Sequence, residues 1–377
     1  MPFLVMSCKK SEGNIFMKKY GILLAAVMMS SSLCAATKGA ELGFTSMRQL
    51  GMGGTGVAIT YDEHALYRNP AGLGRAKFDV DLPVIRVAVD EAGFEKSKDL
   101  QELLQRDSSD DDARALILSF VPSDLSLGAA SSPLFSITSQ GCGLGVSTQA
   151  DAAVRFRDRV TPKVYADVYA DAAAYVGASL RGIPLLGHRS LFGATVGYMT
   201  RQYGSEVFET VDFSEDGELN FDLSTVSGLT YNAGFLIPIH IKKQEINIGL
   251  AFNNISTVLT PSTSDDGDDL EIPFTSTIGI GMDAKLPLIG KTTLAADYKI
   301  VSEDDNAILN LHLGVEKKLL NDILILRGGV NQGYLVGGIT LDAWLFKISY
   351  LVNSRELGDY PGEQKQTQHL IEFALGL

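Results

Sequence analysis

The stretch from Val164 to Leu180, "VYADVYADAAAYVGASL", constrains this chain more than any other. Val164, Ala166, Val168, Ala170, Ala172, Ala174, Val176, Ala178 and Leu180 are all apolar. The residues between them, Tyr165, Asp167, Tyr169, Asp171, Ala173, Tyr175, Gly177 and Ser179, are mostly polar or small. Period-two alternation marks an extended strand whose two faces meet different surroundings. Soluble strands run to roughly 5–6 residues. So long an alternation suits a strand crossing a bilayer, with lipid on one face and a lumen on the other.

The pattern recurs along the chain. Ile246, Ile248, Leu250 and Phe252 alternate with Asn247, Gly249, Ala251 and Asn253. Leu309, Leu311, Leu313 and Val315 alternate with Asn310, His312, Gly314 and Glu316, and Trp344 to Asn353 and Thr367 to Leu377 repeat the scheme. Strands are expected at 78–89, 124–136, 141–158, 164–181, 189–206, 226–241, 245–257, 273–286, 290–301, 308–319, 322–331, 333–341, 342–354 and 366–377. Bacterial single-chain barrels have an even number of strands, and this set meets that condition. A soluble β-sandwich also alternates, but with shorter strands and polar outward faces. The expected fold is therefore all-β: a transmembrane antiparallel β-barrel of about 14 strands. The long links 90–123 and 207–225 suit outer loops, with helices expected around "KDLQELLQR" and "DARALILSF".

The N-terminus fixes the compartment. Lys18-Lys19, the apolar run "YGILLAAVMM" and the small residues of "SSSLCAA" form a secretory signal peptide over residues 1–36, with 1–16 an upstream extension. Leu33 before Cys34 departs from a lipobox. The apolar core is about half of the ~20 residues that a spanning helix needs. Without the leader the chain carries 28 basic and 44 acidic residues, a net charge of −16. Nucleic acid is not an expected partner of so acidic a chain, because phosphate binding needs a basic face. Cys142 alone remains, which excludes an internal disulfide or a cysteine metal site.

Near the new N-terminus stands "QLGMGGTGVAITYDEHALYRNPAGL" (49–73), where Gly51, Gly53 and Gly56 spell G-x-G-x-x-G. A dinucleotide site needs a buried strand before this motif and a helix after it. "GFTSMRQL" is not such a strand, and Val57-Ala58-Ile59 leads into "TYDEHALYRNP" rather than a helix. The glycines read instead as a tight segment in which backbone approaches closely and adopts positive φ. No cofactor is expected.

The same segment resembles the N-terminus of the FadL/TodX-type outer-membrane transport proteins, especially their shorter PorV-like and TraF-like relatives. The matching residues are Arg48, Gly53, Gly54, Gly56, Val57, Ala58, Asn69, Pro70, Ala71, Gly72 and Leu73. "FDVDLPVIRVAV", "GGVNQGYLVGGITLD" and "RELGDYPG" carry the likeness toward the C-terminus. The resemblance implies a barrel over residues 78–377 with residues 37–77 folded into its lumen as a hatch. It also implies that Asn69-Pro70 starts a turn or short helix. Leu377 departs from the aromatic that the barrel-assembly signal prefers, although Phe373 is close by.

On this reading the chain resides in the outer membrane, against its lipid, and passes hydrophobic small molecules such as long-chain fatty acids. Leu345, Leu351 and His312 are candidates to line its lumen. The alternative is a non-transporting scaffold, PorV-like or TraF-like, with a protein partner from secretion or conjugation machinery. An enzyme is not expected: His64, His188, His240, His312 and His369 show no H-E-x-x-H spacing, and no metal is assigned. The acidic runs 107–112 and 264–271 read as solvated loops; the second surrounds a glycine with carboxylates but lacks a full calcium-loop pattern.

Overall fold

The computed structural model describes residues 44–91, 115, 117–121, 123–157, 160–183, 187–209, 222–241, 244–261, 269–286, 290–301, 306–343, 345–357 and 360–375. The leader, the first acidic run and the helix expected at 98–106 lie outside these residues.

Fourteen antiparallel strands close into a barrel: β1 Ile85–Asp90, β2 Ser123–Ser139, β3 Cys142–Arg157, β4 Lys163–Ile183, β5 Gly187–Glu209, β6 Ser224–Ile241, β7 Gln244–Asn253, β8 Thr275–Leu286, β9 Gly290–Val301, β10 Leu311–Leu319, β11 Leu324–Asn331, β12 Tyr334–Asp342, β13 Phe346–Glu356 and β14 Lys365–Leu375. Each pairs with the next, and β14 pairs with β1 through Ile371↔Val87 and Glu372↔Arg86. Closure removes the free edges that an open sheet would present to lipid. At one rim the connections are short: 140–141, 184–186, 242–243, 287–289, 320–323 and 343–345. Longer connections at the opposite rim include 91–122, 210–223 and 254–274. Outer-membrane barrels share this asymmetry, with short turns on the periplasmic side.

The faces follow the sequence pattern. Ile85, Val87, Val176, Leu180, Ile278, Ile280, Ile348 and Ile371 are exposed, while Arg86, Gln149, Asp171, Arg201, Asp297 and Glu316 are buried. A soluble domain buries its apolar side chains and exposes its charges; this wall does the reverse, as lipid outside and a polar interior require. Among the described residues no helix is long and apolar enough to cross a membrane.

Three expected elements need correction. The segment 78–89 is split into Asp79–Asp81, paired with β2, and β1. Pro83 lies between the two pieces and has no N–H to give a ladder. The strand expected at 245–257 ends at Asn253, because Asn254 (φ 57°) and Ser256 (φ 50°) turn the chain back. Val258–Pro261 then pairs with Leu270–Glu271 and with β6. Finally, the apolar face of β4 is not uniformly open. Ala172, Ala174, Val176, Ala178 and Leu180 are exposed, but Val164 is buried with Ile117, Phe120, Leu125 and Phe156. At 21 residues β4 exceeds the ~9–11 that span a bilayer, so its far end meets protein.

Candidate functional site

Residues 44–76 are held against inward-facing groups of strands all round the ring. The segment begins with a short helix, α1 (Met47–Gly51). Ser46 accepts from Gln49 N while Gln49 Oε1 accepts from Ser46 N, a capping box that fixes the helix start. The chain then turns through Gly53 (φ 70°) and Gly54 (φ 87°). A second short helix, α2 (Ala65–Arg68), leads into a 3-10 helix at Pro70–Arg75. Asn69 caps the latter by accepting from Ala71 N, and Pro70 supplies the preset φ of a first helical position.

Each residue of the N-terminal signature has a defined contact. Arg48 Nε donates to both carboxylate oxygens of Glu316 on β10, at 3.1 Å each. Its Nη1 donates to Ile59 O at 3.0 Å. A Cβ on Gly53 would lie 2.4 Å from Leu313 O and 2.5 Å from Val330 O, so only glycine fits between β10 and β11. His312 Nδ1 lies 2.9 Å from Gly53 O, and its ring packs beside Gly54. Gly56 N and Val57 N donate to Asp297 Oδ2 on β9, at 2.7 and 3.0 Å. Buried Asn69 donates from Nδ2 to Val57 O at 2.7 Å and to Phe235 O on β6 at 3.2 Å. Pro70 and Ala71 lie against Gly193 of β5, and a Cβ on Gly72 would strike Thr60 O.

This geometry settles what the G-x-G-x-x-G spacing serves. A helix precedes it and a turn follows it, the reverse of the dinucleotide arrangement. Gly56 N and the adjacent Val57 N do bind an oxygen acceptor, but it is the chain's own Asp297 side chain. The sequence pointed to a tight glycine segment and gave no sign of the partner 241 residues away. The complementary wall glycines were also missed. Gly314, for example, leaves room for Met52 O, which a Cβ would meet at 2.3 Å.

Of the three lumen candidates, Leu351 is buried with Met47, Ala88 and Leu370, and His312 is buried against Gly53. Leu345 is a correction. The strand begins one residue later, at Phe346, and Leu345 lies 61% exposed in the short connection before it.

Two regions fill the interior. One is a cavity of about 360 Å³ at the short-turn rim, lined by Arg48, Arg75, Glu245, Glu316, Arg327 and Lys347 among others. Ion pairs line it: Arg75–Glu245 at 2.6 Å joins the segment to the wall, and Arg327–Glu316 at 2.8 Å joins neighbouring strands β11 and β10. The other is apolar. Phe44, Leu66, Tyr67 and Leu73 of the segment meet Tyr175, Met199 and Val226 of the wall and Leu259 and Ile272 of the folded-back hairpin. Tyr67 and Tyr175 stack edge to face at 4.8 Å, and Phe44 and Tyr175 do so at 6.2 Å.

Asp62, Glu63 and His64 bring three donor atoms within 4.8 Å of one another. His64 Nδ1 lies 2.7 Å from Glu63 Oε1. Burial pulls the imidazole pKa down, but the Glu63 carboxylate outweighs burial and raises it to about 9. At neutral pH the imidazolium so favoured forms an ion pair with Glu63. Of the second acidic run, residues 269–271 are described, and Leu270–Glu271 forms a short strand rather than a loop.

The fold is that of the FadL/TodX-type outer-membrane transporters. The toluene transporter TodX of P. putida matches at TM-score 0.51 and 12% identity, over 88% of this chain and 98% of that one. The Ralstonia pickettii toluene transporter TbuX matches at 0.49 and 12%, over the same shares. A Pseudomonas aeruginosa FadL homologue matches at 0.30 and 9%, over 88% and 97%. No family model matches the sequence, and no curated protein does.

Proposed function

We propose that this chain is an outer-membrane channel for hydrophobic small molecules, not an enzyme, with residues 37–77 serving as a hatch within the barrel. The observation that carries the reading is the apolar interior around Phe44, Leu66, Tyr67, Tyr175, Met199 and Leu259. Along β4 the inward positions run from charged Asp167 and Asp171 to apolar Ala173 and Tyr175, then to Gly177 and Ser179 beside the segment. A lumen needed only for solvation has no use for an apolar layer between polar ones. The layer is packed rather than open, so a hydrophobic solute would pass through it only when the segment moves. The shared fold with the toluene transporter TodX supports the same reading.

Long-chain fatty acids are the ligand class to test first. Purified mature protein in planar bilayers should show a small conductance that changes on adding a long-chain fatty acid. A folded, heat-modifiable barrel that is electrically silent and indifferent to fatty acid, toluene and other hydrophobic solutes would overturn the channel reading. The second reading is a scaffold with a protein partner. It is favoured by the charge-lined cavity, whose ion pairs tie the segment to the wall at the short-turn rim.

A further inference from the structure

Asp297 stands apart from the other inward-facing carboxylates. It projects from the middle of β9 and its side chain has no exposure. Among the described residues, the hydrogen-bond partners of its side chain all belong to the N-terminal segment. Gly56 N and Val57 N donate to Oδ2 at 2.7 and 3.0 Å, and Arg68 Nη2 donates to the same oxygen at 3.2 Å. Arg68 Nη2 also donates to Gly54 O at 2.8 Å, so one guanidinium joins the glycine turn to the carboxylate. Two successive backbone N–H groups form a small anion-binding concavity. Opposite it, Gly279 leaves the space that Asp297 needs: a Cβ there would lie 2.3 Å from Oδ1. Oδ1 itself is buried and has no hydrogen-bond partner among the described residues. Half of the carboxylate is thus desolvated without return, and the whole of its compensation comes from the segment.

We propose that Asp297 is the latch of the N-terminal segment: the turn at Gly54–Val57 is an anion-binding site which this carboxylate occupies in the closed state, and release of the segment vacates it. The turn then presents two N–H donors and the Arg68 guanidinium to any small carboxylate of the right size. Two backbone N–H groups and a guanidinium converge on Oδ2, so the latch depends on an acceptor oxygen held at this position. The inference rests on reading residues 37–77 as a hatch. No hydrophobic solute enters its test, so loss of the channel reading and loss of the latch give different results.

The test reconstitutes wild type, Asp297→Ala and Asp297→Asn in planar bilayers, with heat-modifiable gel migration confirming a folded barrel. Asp297→Ala should raise the open dwell time by roughly tenfold or more, the change that about 1.4 kcal/mol produces. Sodium formate should reverse that rise saturably by occupying the vacated site, and sodium chloride at equal ionic strength should not. Asp297→Asn, which keeps one acceptor oxygen but no charge, should fall between wild type and Asp297→Ala. In wild type Asp297 fills the site in the closed state, so formate can bind only the released turn and should lengthen the open dwell time, the opposite sign to its effect on Asp297→Ala. A folded Asp297→Ala barrel that gates like wild type, or whose raised conductance formate leaves unchanged, would overturn the proposal. Should Asp297→Ala fail to give a folded barrel, Asp297→Asn decides: wild-type gating overturns the latch and raised gating supports it.

Discussion

The Arg48 guanidinium and the Glu316 carboxylate are joined at 3.1 Å through Nε to both oxygens, and Arg327 Nε reaches the same carboxylate at 2.8 Å. Two cations share one buried anion, so one wall carboxylate holds Arg48 near the start of the N-terminal segment, where Arg86 of β1 also donates from Nη1 to Thr45 O at 2.7 Å. Removing that anion strands both guanidiniums. Glu316→Ala should cost about 3 kcal/mol, the lower end for breaking a buried pair, since Arg48 is 27% exposed. Arg48→Ala should cost less, because Arg327 still pairs with Glu316. The temperature of the heat-modifiable band shift in detergent compares the two variants.

Gly53→Ala tests the close approach of segment and wall. Its φ of 70° is strained for alanine, and a Cβ would meet two backbone oxygens of β10 and β11. The backbone strain alone is about 1–3 kcal/mol, and the contact adds to it. Gly56→Ala should be milder, since its nearest neighbours are the Gln49 and Thr60 side chains, which can shift. Urea unfolding of the two variants side by side gives the ranking; a Gly56→Ala loss equal to the Gly53→Ala loss would contradict the described packing.

Val176→Arg tests the lipid face. Val176 is 61% exposed on β4, and a cation on the lipid face costs about 2–4 kcal/mol near the bilayer midplane. The expected outcome is a reduced folded fraction in vesicles. The same substitution at Leu320, 70% exposed in a connection at the rim, should be nearly neutral.

The His64–Glu63 pair gives a pH dependence with a defined sign. The imidazole is raised from 6.5 to about 9. A raised pKa means that the folded state binds the proton more tightly, so the pair stabilises fully below pH 6.5 and is lost as pH rises through about 9. Unfolding of wild type between pH 6 and 10 should therefore show a decline that His64→Gln lacks. Parallel profiles for the two proteins would count against the pair.

Deleting residues 37–77 tests the hatch reading as a whole. The strands close on one another without the segment, so the barrel should still fold. Ion conductance should then rise well above that of the complete chain, and an unchanged conductance would count against a hatch.

The sequence alone carried much of the fold. Alternation is local: lipid and lumen impose opposite preferences on neighbouring residues, so strands such as 290–301 and 324–331 are legible with nothing but their own composition. The turn at Gly53-Gly54 is legible for the same reason, since positive φ is a need of the local backbone, whereas the start at Asn69-Pro70 was implied by the family resemblance. Leu345 was misplaced because alternation has no mark for where a strand begins. The far end of β4 was misread because nothing in Val164 shows that Phe120 will cover it. What only tertiary structure decided are the partners. Asp297 and Glu316 read as ordinary lumen-facing carboxylates until barrel closure sets them opposite Gly56 and Arg48, more than two hundred residues away. The alternation of a strand records which solvent each face meets, but a buried charge records only that it needs an opposite group. Which group answers it is fixed by strand order and register, which are properties of the closed barrel.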